Sequence, residues 1–196
     1  MSDIKLFQFG ENGVAELPGT AMQVEKSLQV MFEANLEALL GVRFLASEHT
    51  TGPVHGGRID TLGIDENNVP AIIEYKRTVG ENVINQGLFY LNWLVDHKGD
   101  FELLVQRELD MEAAQSIAWN GPRLICIANN FTKYDEHAVR QMNRNIDLIR
   151  YKEFPPDLLL LEQLTSTTAI GGSGVSSSQV QSSSAGAAAY RATVTD

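Results

Sequence analysis

Two carboxylates and a lysine interrupt the most strand-like stretch of the chain. Residues 58–77 read RIDTLGIDENNVPAIIEYKR: two apolar runs joined by the turn-forming Asp-Glu-Asn-Asn, a pattern that predicts a β-hairpin. Strand side chains alternate in direction, so Ile72, Glu74 and Lys76 share one face, and Ala71, Ile73 and Tyr75 the other. On the first strand Asp60 shares a face with Leu62 and Ile64. Both faces are largely apolar, so both strands are expected to be covered on two sides, where a lone carboxylate is costly. The hairpin can bring Asp60 to Glu74. Two clustered carboxylates raise each other's pKa, and a bound divalent cation would remove that conflict. The competing reading is a cross-strand ladder of ion pairs.

The surrounding elements must position these residues. Residues 4–9 read as a strand. Residues 24–41 read as one amphipathic helix, with Val24, Leu28, Met31, Leu36 and Leu39 at helical spacing and Gly41 as its stop. Residues 42–47 form a strand before the hairpin. Residues 81–98 read as a helix, preceded by Thr78 and Glu81 at capping-box spacing. Residues 101–109 fit helix or strand equally well. Residues 123–128 read as a buried strand, 133–145 as a helix, and 146–154 and 157–164 as strands. This order predicts a mixed α/β or α+β layered domain over residues 1–163. From residue 164 to 196 the chain is mostly Ser, Gly, Ala and Thr, the composition of a flexible tail or linker.

The bulk chemistry narrows the function classes. The 196 residues suffice for one domain with a full core. No run approaches the ~18 apolar residues of a membrane span, and the first residues lack the pattern of a secretory signal. Cys126 is the single cysteine, which excludes an internal disulfide and a multi-cysteine zinc site; the expected location is cytoplasmic. A net charge of −10 argues against nonspecific coating of nucleic acid, whose affinity comes from phosphate neutralisation. Residues 123–152 nevertheless carry six basic and three acidic side chains. Among them, Arg140 and Arg144 are four apart on the predicted helix, placed either for phosphates or for solvent. His55, in a Gly-rich loop before Asp60, reads as an ordinary loop histidine.

Asp60 followed by Glu74-Tyr75-Lys76 resembles the signature of the PD-(D/E)xK nuclease superfamily, in which an Asp ends one strand and a (D/E)-x-K tripeptide lies on the next. The form "GRID…IIEYKR" is most similar to the C-terminal nuclease domain of the NucS endonucleases, with Ile59 where the signature has proline. The resemblance covers roughly residues 24–163. It implies a restriction-endonuclease-like α/β core, a mixed central sheet flanked by helices, that hydrolyses phosphodiester bonds in DNA with Mg²⁺ or Mn²⁺. It further implies that Asp60, Glu74 and the backbone carbonyl of Tyr75 ligate the metal, and that Lys76 orients the attacking water or stabilises transition-state charge. The superfamily's acid on the first helix maps to Glu33, with Glu37 as the competitor. Gln86 and Tyr90 resemble the Q-x-x-x-Y element of RecB-type members and share a helix face. Arg58, Arg77, Arg140 and Arg144 are the expected nucleic-acid contacts. Cleavage of two strands makes a homodimer plausible. The alternative is a non-catalytic nucleic-acid-binding or assembly module on the same fold.

Overall fold

A computed structural model describes residues 4–11, 13–22, 24–76 and 83–169. A two-stranded hairpin, β1 (Leu6–Gly10) and β2 (Gly13–Leu17), precedes the helices α1 (Glu25–Ala34) and α2 (Leu36–Leu40). Then come β3 (Val42–Thr50), the short α3 (Gly52–His55), β4 (Arg58–Asp65) and β5 (Pro70–Lys76). Helices α4 (Val83–Asp96), α5 (Lys98–Glu108) and α6 (Met111–Gln115) lead to β6 (Arg123–Ala128). Helix α7 (Lys133–Arg140) and the strands β7 (Asn145–Phe154) and β8 (Leu158–Thr167) complete the described chain.

Strands β3 to β8 form one six-stranded sheet in sequence order. β5, β6 and β7 are parallel neighbours, and the remaining pairs are antiparallel. The expected mixed α/β class, a central sheet flanked by helices, is what the chain adopts. Alternation along β5 feeds two separate cores. Ile73 and Tyr75 pack with Leu28, Phe32 and Leu36 of α1 and α2. Ile72 packs with Leu91, Leu94, Phe101 and Val105 of α4 and α5. Each such aliphatic side chain contributes roughly 1.5–3 kcal/mol on burial, which is what makes the neighbouring Glu74 anomalous.

Several expectations change. The predicted single helix over residues 24–41 is broken at Asn35 (φ −133°) into α1 and α2. Gly41 ends the second piece in the left-handed region (φ 65°), its N–H bonded to the Glu37 carbonyl. Residues 101–108 are helical, because Phe101, Leu104 and Val105 recur at i, i+3 and i+4 and all are buried, and Leu109 caps the helix. β8 runs to Thr167, past the boundary at residue 163, with Thr165 buried against the sheet. The capping pair Thr78 and Glu81, Arg77, and residues 170–196 lie outside the described residues. Among the described residues no helix is long and apolar enough to cross a membrane.

The hairpin turn is built by Asp65. Its Oδ1 accepts from the N–H groups of Asn67 and Val69, both at 2.9 Å, while Asn68 takes a positive φ of 59°, a conformation asparagine tolerates. Arg123 then bridges the buried carboxylates of Asp65 and Asp147 at 3.0 and 2.8 Å, tying the turn to β6 and β7.

Helix α4 seats on the sheet through Gly87. A Cβ there would collide with the Leu124 side chain, whose Cδ2 lies 2.6 Å from its ideal position. Gly87→Ala is therefore expected to lower stability by about 1–3 kcal/mol, the usual cost of overpacking. Thermal unfolding measures it, and a wild-type melting temperature would show that Leu124 repacks freely.

Candidate active site

Asp60 and Glu74 meet where the pairing of β4 with β5 gives out. That pairing runs from Ile64↔Pro70 to Thr61↔Ile73, and the next residues along are Asp60 and Glu74. There the side chains take over from the ladder. The Asp60 N–H donates to Glu74 Oε1 at 3.1 Å, and the Tyr75 N–H donates to Asp60 Oδ2, also at 3.1 Å. Each carboxylate is thus fixed by the backbone of the other strand.

The second Glu74 oxygen is different. Glu74 is fully buried, and its Oε2 has no hydrogen-bond partner among the described residues. Burial, the largest cause, and then the Asp60 charge push its pKa up to about 8. Burial also raises Asp60, against the Tyr75 N–H and Lys76, which pull it down. A buried carboxylate oxygen without a donor, beside a second carboxylate, fits a hard cation that binds through oxygen. Asp60 and Glu74 are the side chains that would hold it. Cys126 lies beside Glu74 in the parallel register; burial pushes its thiol pKa upward, so it packs as an inert apolar group.

Lys76 follows on the same face. Its side chain is 16% exposed, and its Nζ lies 3.4 Å from Glu25 Oε1 at the start of α1. The Glu25 charge also reaches the pair, raising the pKa of both Asp60 and Glu74. The acid that helix α1 presents to this end of the sheet is therefore Glu25. Glu33 is engaged elsewhere: its Oε1 accepts from Thr61 Oγ1 at 2.6 Å and from Gln29 Nε2 at 2.9 Å. Thr61 alternates with Asp60, so its hydroxyl lies on the other sheet face, 3.4 Å from the buried Tyr75 hydroxyl. Glu37, in α2, lies with Glu33 along a separate surface groove. Among the described residues no group of three His, Cys, Asp or Glu side chains is arranged to hold a metal.

Gln86 and Tyr90 come together as the four-residue spacing requires, with Gln86 Nε2 donating to Tyr90 Oη at 3.3 Å. The same hydroxyl accepts from the Arg58 N–H at 3.2 Å. The Tyr90 ring packs on Gly57, where a Cβ would meet Cε1 at 2.5 Å. This pair braces the entry to β4, two residues before Asp60. His55 is also more than a loop residue: its ring contacts Phe89 and His97 at centroid distances of 5.5 and 5.6 Å.

The basic residues divide. Arg58 is exposed close to the pair, with its Nε 2.5 Å from Glu48 Oε2. Helix α7 ends at Arg140, so Arg140 and Arg144 do not share a helix face. Arg140 contacts Glu136 and Thr165. Arg144 precedes Asn145, at the start of β7, whereas Lys76 aligns with Ala128 and Arg150 toward the other end of the parallel strands. Arg144 is thus remote from the carboxylates, beside a cavity of about 430 Å³ lined also by Leu91, Asn92 and Pro122.

Sequence reading missed Glu25 and Gln29. The signal was present: Glu25, Gln29 and Glu33 recur every four residues, a polar stripe on α1. All three side chains contact β4 or β5, at Lys76, Asp60 and Thr61 respectively.

No protein-family profile matches the chain. An uncharacterised protein of Haemophilus influenzae is 29% identical over 160 residues, covering 81% of this chain and 52% of that protein. Two solved structures are similar at low identity. One, of an EndoMS–dsDNA complex, is 16% identical with a TM-score of 0.37, covering 71% of this chain and 48% of the other. The second, a repair endonuclease from Pyrococcus abyssi, is 15% identical with a TM-score of 0.34, covering 70% and 49%. The chain spans about half the length of the proteins to which it is similar.

Proposed function

We propose that the chain is a deoxyribonuclease of the PD-(D/E)xK type that hydrolyses phosphodiester bonds with Mg²⁺ or Mn²⁺. The observation that carries this reading is the buried Oε2 of Glu74, without a donor among the described residues, beside Asp60, with Lys76 on the same strand face. Oxygens of Asp60 and Glu74, with the Tyr75 backbone carbonyl, would hold the cation. When bound, the cation supplies an acidified water and charge neutralisation at phosphate. Lys76 places a positive charge at the edge of the pair, where it can orient the attacking water and stabilise charge developing on phosphate. Glu25 limits the freedom of that ammonium group. Gln86 and Tyr90 fix the strand that carries Asp60, and Arg58, exposed at its start, meets the DNA backbone.

The test is a cleavage screen of the purified chain on single-stranded, duplex, nicked and branched DNA with Mg²⁺ or Mn²⁺, against chelated controls. Asp60→Ala and Lys76→Ala should each lower the rate by roughly 10²–10³-fold or more, with circular dichroism unchanged. Absence of cation-dependent cleavage on every substrate would sink the reading.

A second reading is a non-catalytic nucleic-acid-binding or assembly module. It is favoured by the absence of a three-residue metal cluster among the described residues, and the net charge of −10 favours its assembly form over its nucleic-acid-binding form. Calorimetric titration with Mn²⁺ separates the two: binding lost in Asp60→Ala supports the nuclease, and no binding supports the module.

A further inference from the structure

We infer that Gln29 is a positioning residue that sets the Asp60 carboxylate against Glu74. The inference rests on the metal-binding role proposed for Asp60. Side chains hold the backbone of Asp60 on both sides: its N–H donates to Glu74 Oε1 at 3.1 Å, and its carbonyl accepts from Gln29 Nε2 at 2.8 Å. Glu74 is part of the site itself. Gln29 is not, so it is the external support.

Gln29 is built for that task. It is 4% exposed although polar, and its amide is engaged at both ends. Nε2 also lies 2.9 Å from Glu33 Oε1 and 3.1 Å from Ser47 Oγ, while Oε1 accepts from Lys26 Nζ at 3.0 Å. Lys26 in turn lies 2.6 Å from Glu48 Oε1, and Arg58 holds the other Glu48 oxygen. Glu48 has a positive φ of 53° within β3. Non-glycine residues adopt that conformation at a cost, and such strain collects at functional sites. The pairs Ser47↔Thr61 and His49↔Ile59 flank Glu48 and set it across from Asp60. The ion-paired Glu48 and Lys26 thus anchor the carboxamide that holds Asp60. Groups that orient a ligand are worth roughly 10–100-fold in metal affinity.

Two readouts on the 196-residue chain test this. The first needs no cation. The Tyr75 N–H donates to Asp60 Oδ2, so its exchange with solvent reports where the carboxylate is. In Gln29→Leu, Tyr75 should exchange at least about 10-fold faster than in wild type, with amides of β6 unchanged. The second is Mn²⁺ affinity by calorimetry, expected to fall about 10–100-fold in Gln29→Leu. Lys26→Met, at an exposed position, keeps Gln29 but frees its oxygen, and should move both readouts in the same direction by a few-fold. Lys26→Arg should restore them. A folded Gln29→Leu with wild-type Tyr75 exchange and Mn²⁺ affinity overturns the inference. If Gln29→Leu does not fold, unchanged values in Lys26→Met overturn it. If wild-type protein binds no Mn²⁺, the nuclease reading fails, and the Tyr75 exchange comparison still decides whether Gln29 positions Asp60.

Discussion

Glu74→Gln should melt roughly 4–8 °C above wild type in cation-free buffer at pH 8 and should be inactive in cleavage. Wild-type Glu74 is fully buried, one of its oxygens has no donor among the described residues, and Asp60 stands beside it. Burial and that neighbouring charge together push its pKa up to about 8. Near pH 8 the folded protein must therefore either bury a poorly compensated charge or hold a proton that the unfolded chain has released. Glutamine avoids both. Its carbonyl oxygen can still accept the Asp60 N–H, and the side chain is nearly isosteric. Removing buried charge while keeping side-chain volume is often neutral or stabilising, by about 1–4 kcal/mol where whole buried ion pairs are replaced. A gain of about 2 kcal/mol corresponds to the stated shift for a chain of this size. Differential scanning calorimetry with chelator measures it. A lower melting temperature would mean that the carboxylate stabilises the fold through Lys76, as the ion-pair reading requires. Stabilisation together with inactivity is the signature of a group whose place in the core is set by function.

How far the sequence disclosed this arrangement depended on the range of the signal. Asp60, Glu74 and Lys76 were legible because strand alternation and a four-residue turn are local: they bring Asp60 to Glu74 whatever surrounds the hairpin. Gln86 and Tyr90 were legible as a pair for the same reason, since helical spacing alone brings Gln86 Nε2 to the Tyr90 hydroxyl. What they touch was not legible, because it depends on how Gly87 seats α4 on Leu124. The contacts of the acids on α1 were not legible for the same reason. Glu25, Gln29 and Glu33 are equivalent by spacing, and only the docking of α1 on β4 and β5 places Glu25 at Lys76 and Glu33 at Thr61. Arg140 and Arg144 show the same limit at larger scale. A charge count cannot say that α7 returns the chain to the start of β7, where Arg144 is far from Lys76. The break at Asn35 and the hairpin partner β2 were missed because neither interrupts or creates a strong apolar period: β2 is exposed along most of its length.

The second large effect is the pH dependence of the same residue. The stability of the cation-free protein should fall as pH rises from about 4.5 to about 8 and then level off. In the unfolded chain Glu74 ionises near the ordinary glutamate value of 4.5, while in the folded protein it holds its proton to about pH 8. Between these values the folded state binds more protons, so raising the pH favours unfolding. The stabilisation is fully present below the unfolded value and lost as pH passes through the folded one. Asp60 acts in the same direction, since burial raises it as well. Urea unfolding at pH 5, 6, 7 and 8 with chelator measures the slope, and subtracting the Glu74→Gln profile removes the other titrating groups. The two proteins should have nearly equal stability at pH 5 and diverge by about 2 kcal/mol by pH 8. Asp60→Asn should flatten the wild-type slope, because the Asp60 charge is the second cause of the Glu74 shift. A bound cation requires both carboxylates ionised, so its binding releases protons. The rise in melting temperature produced by Mg²⁺ or Mn²⁺ should accordingly grow from pH 5 to pH 8. Parallel profiles for wild type and Glu74→Gln would show that Glu74 is ionised in the folded state across this range, and the case for a cation at this site would lose its electrostatic basis.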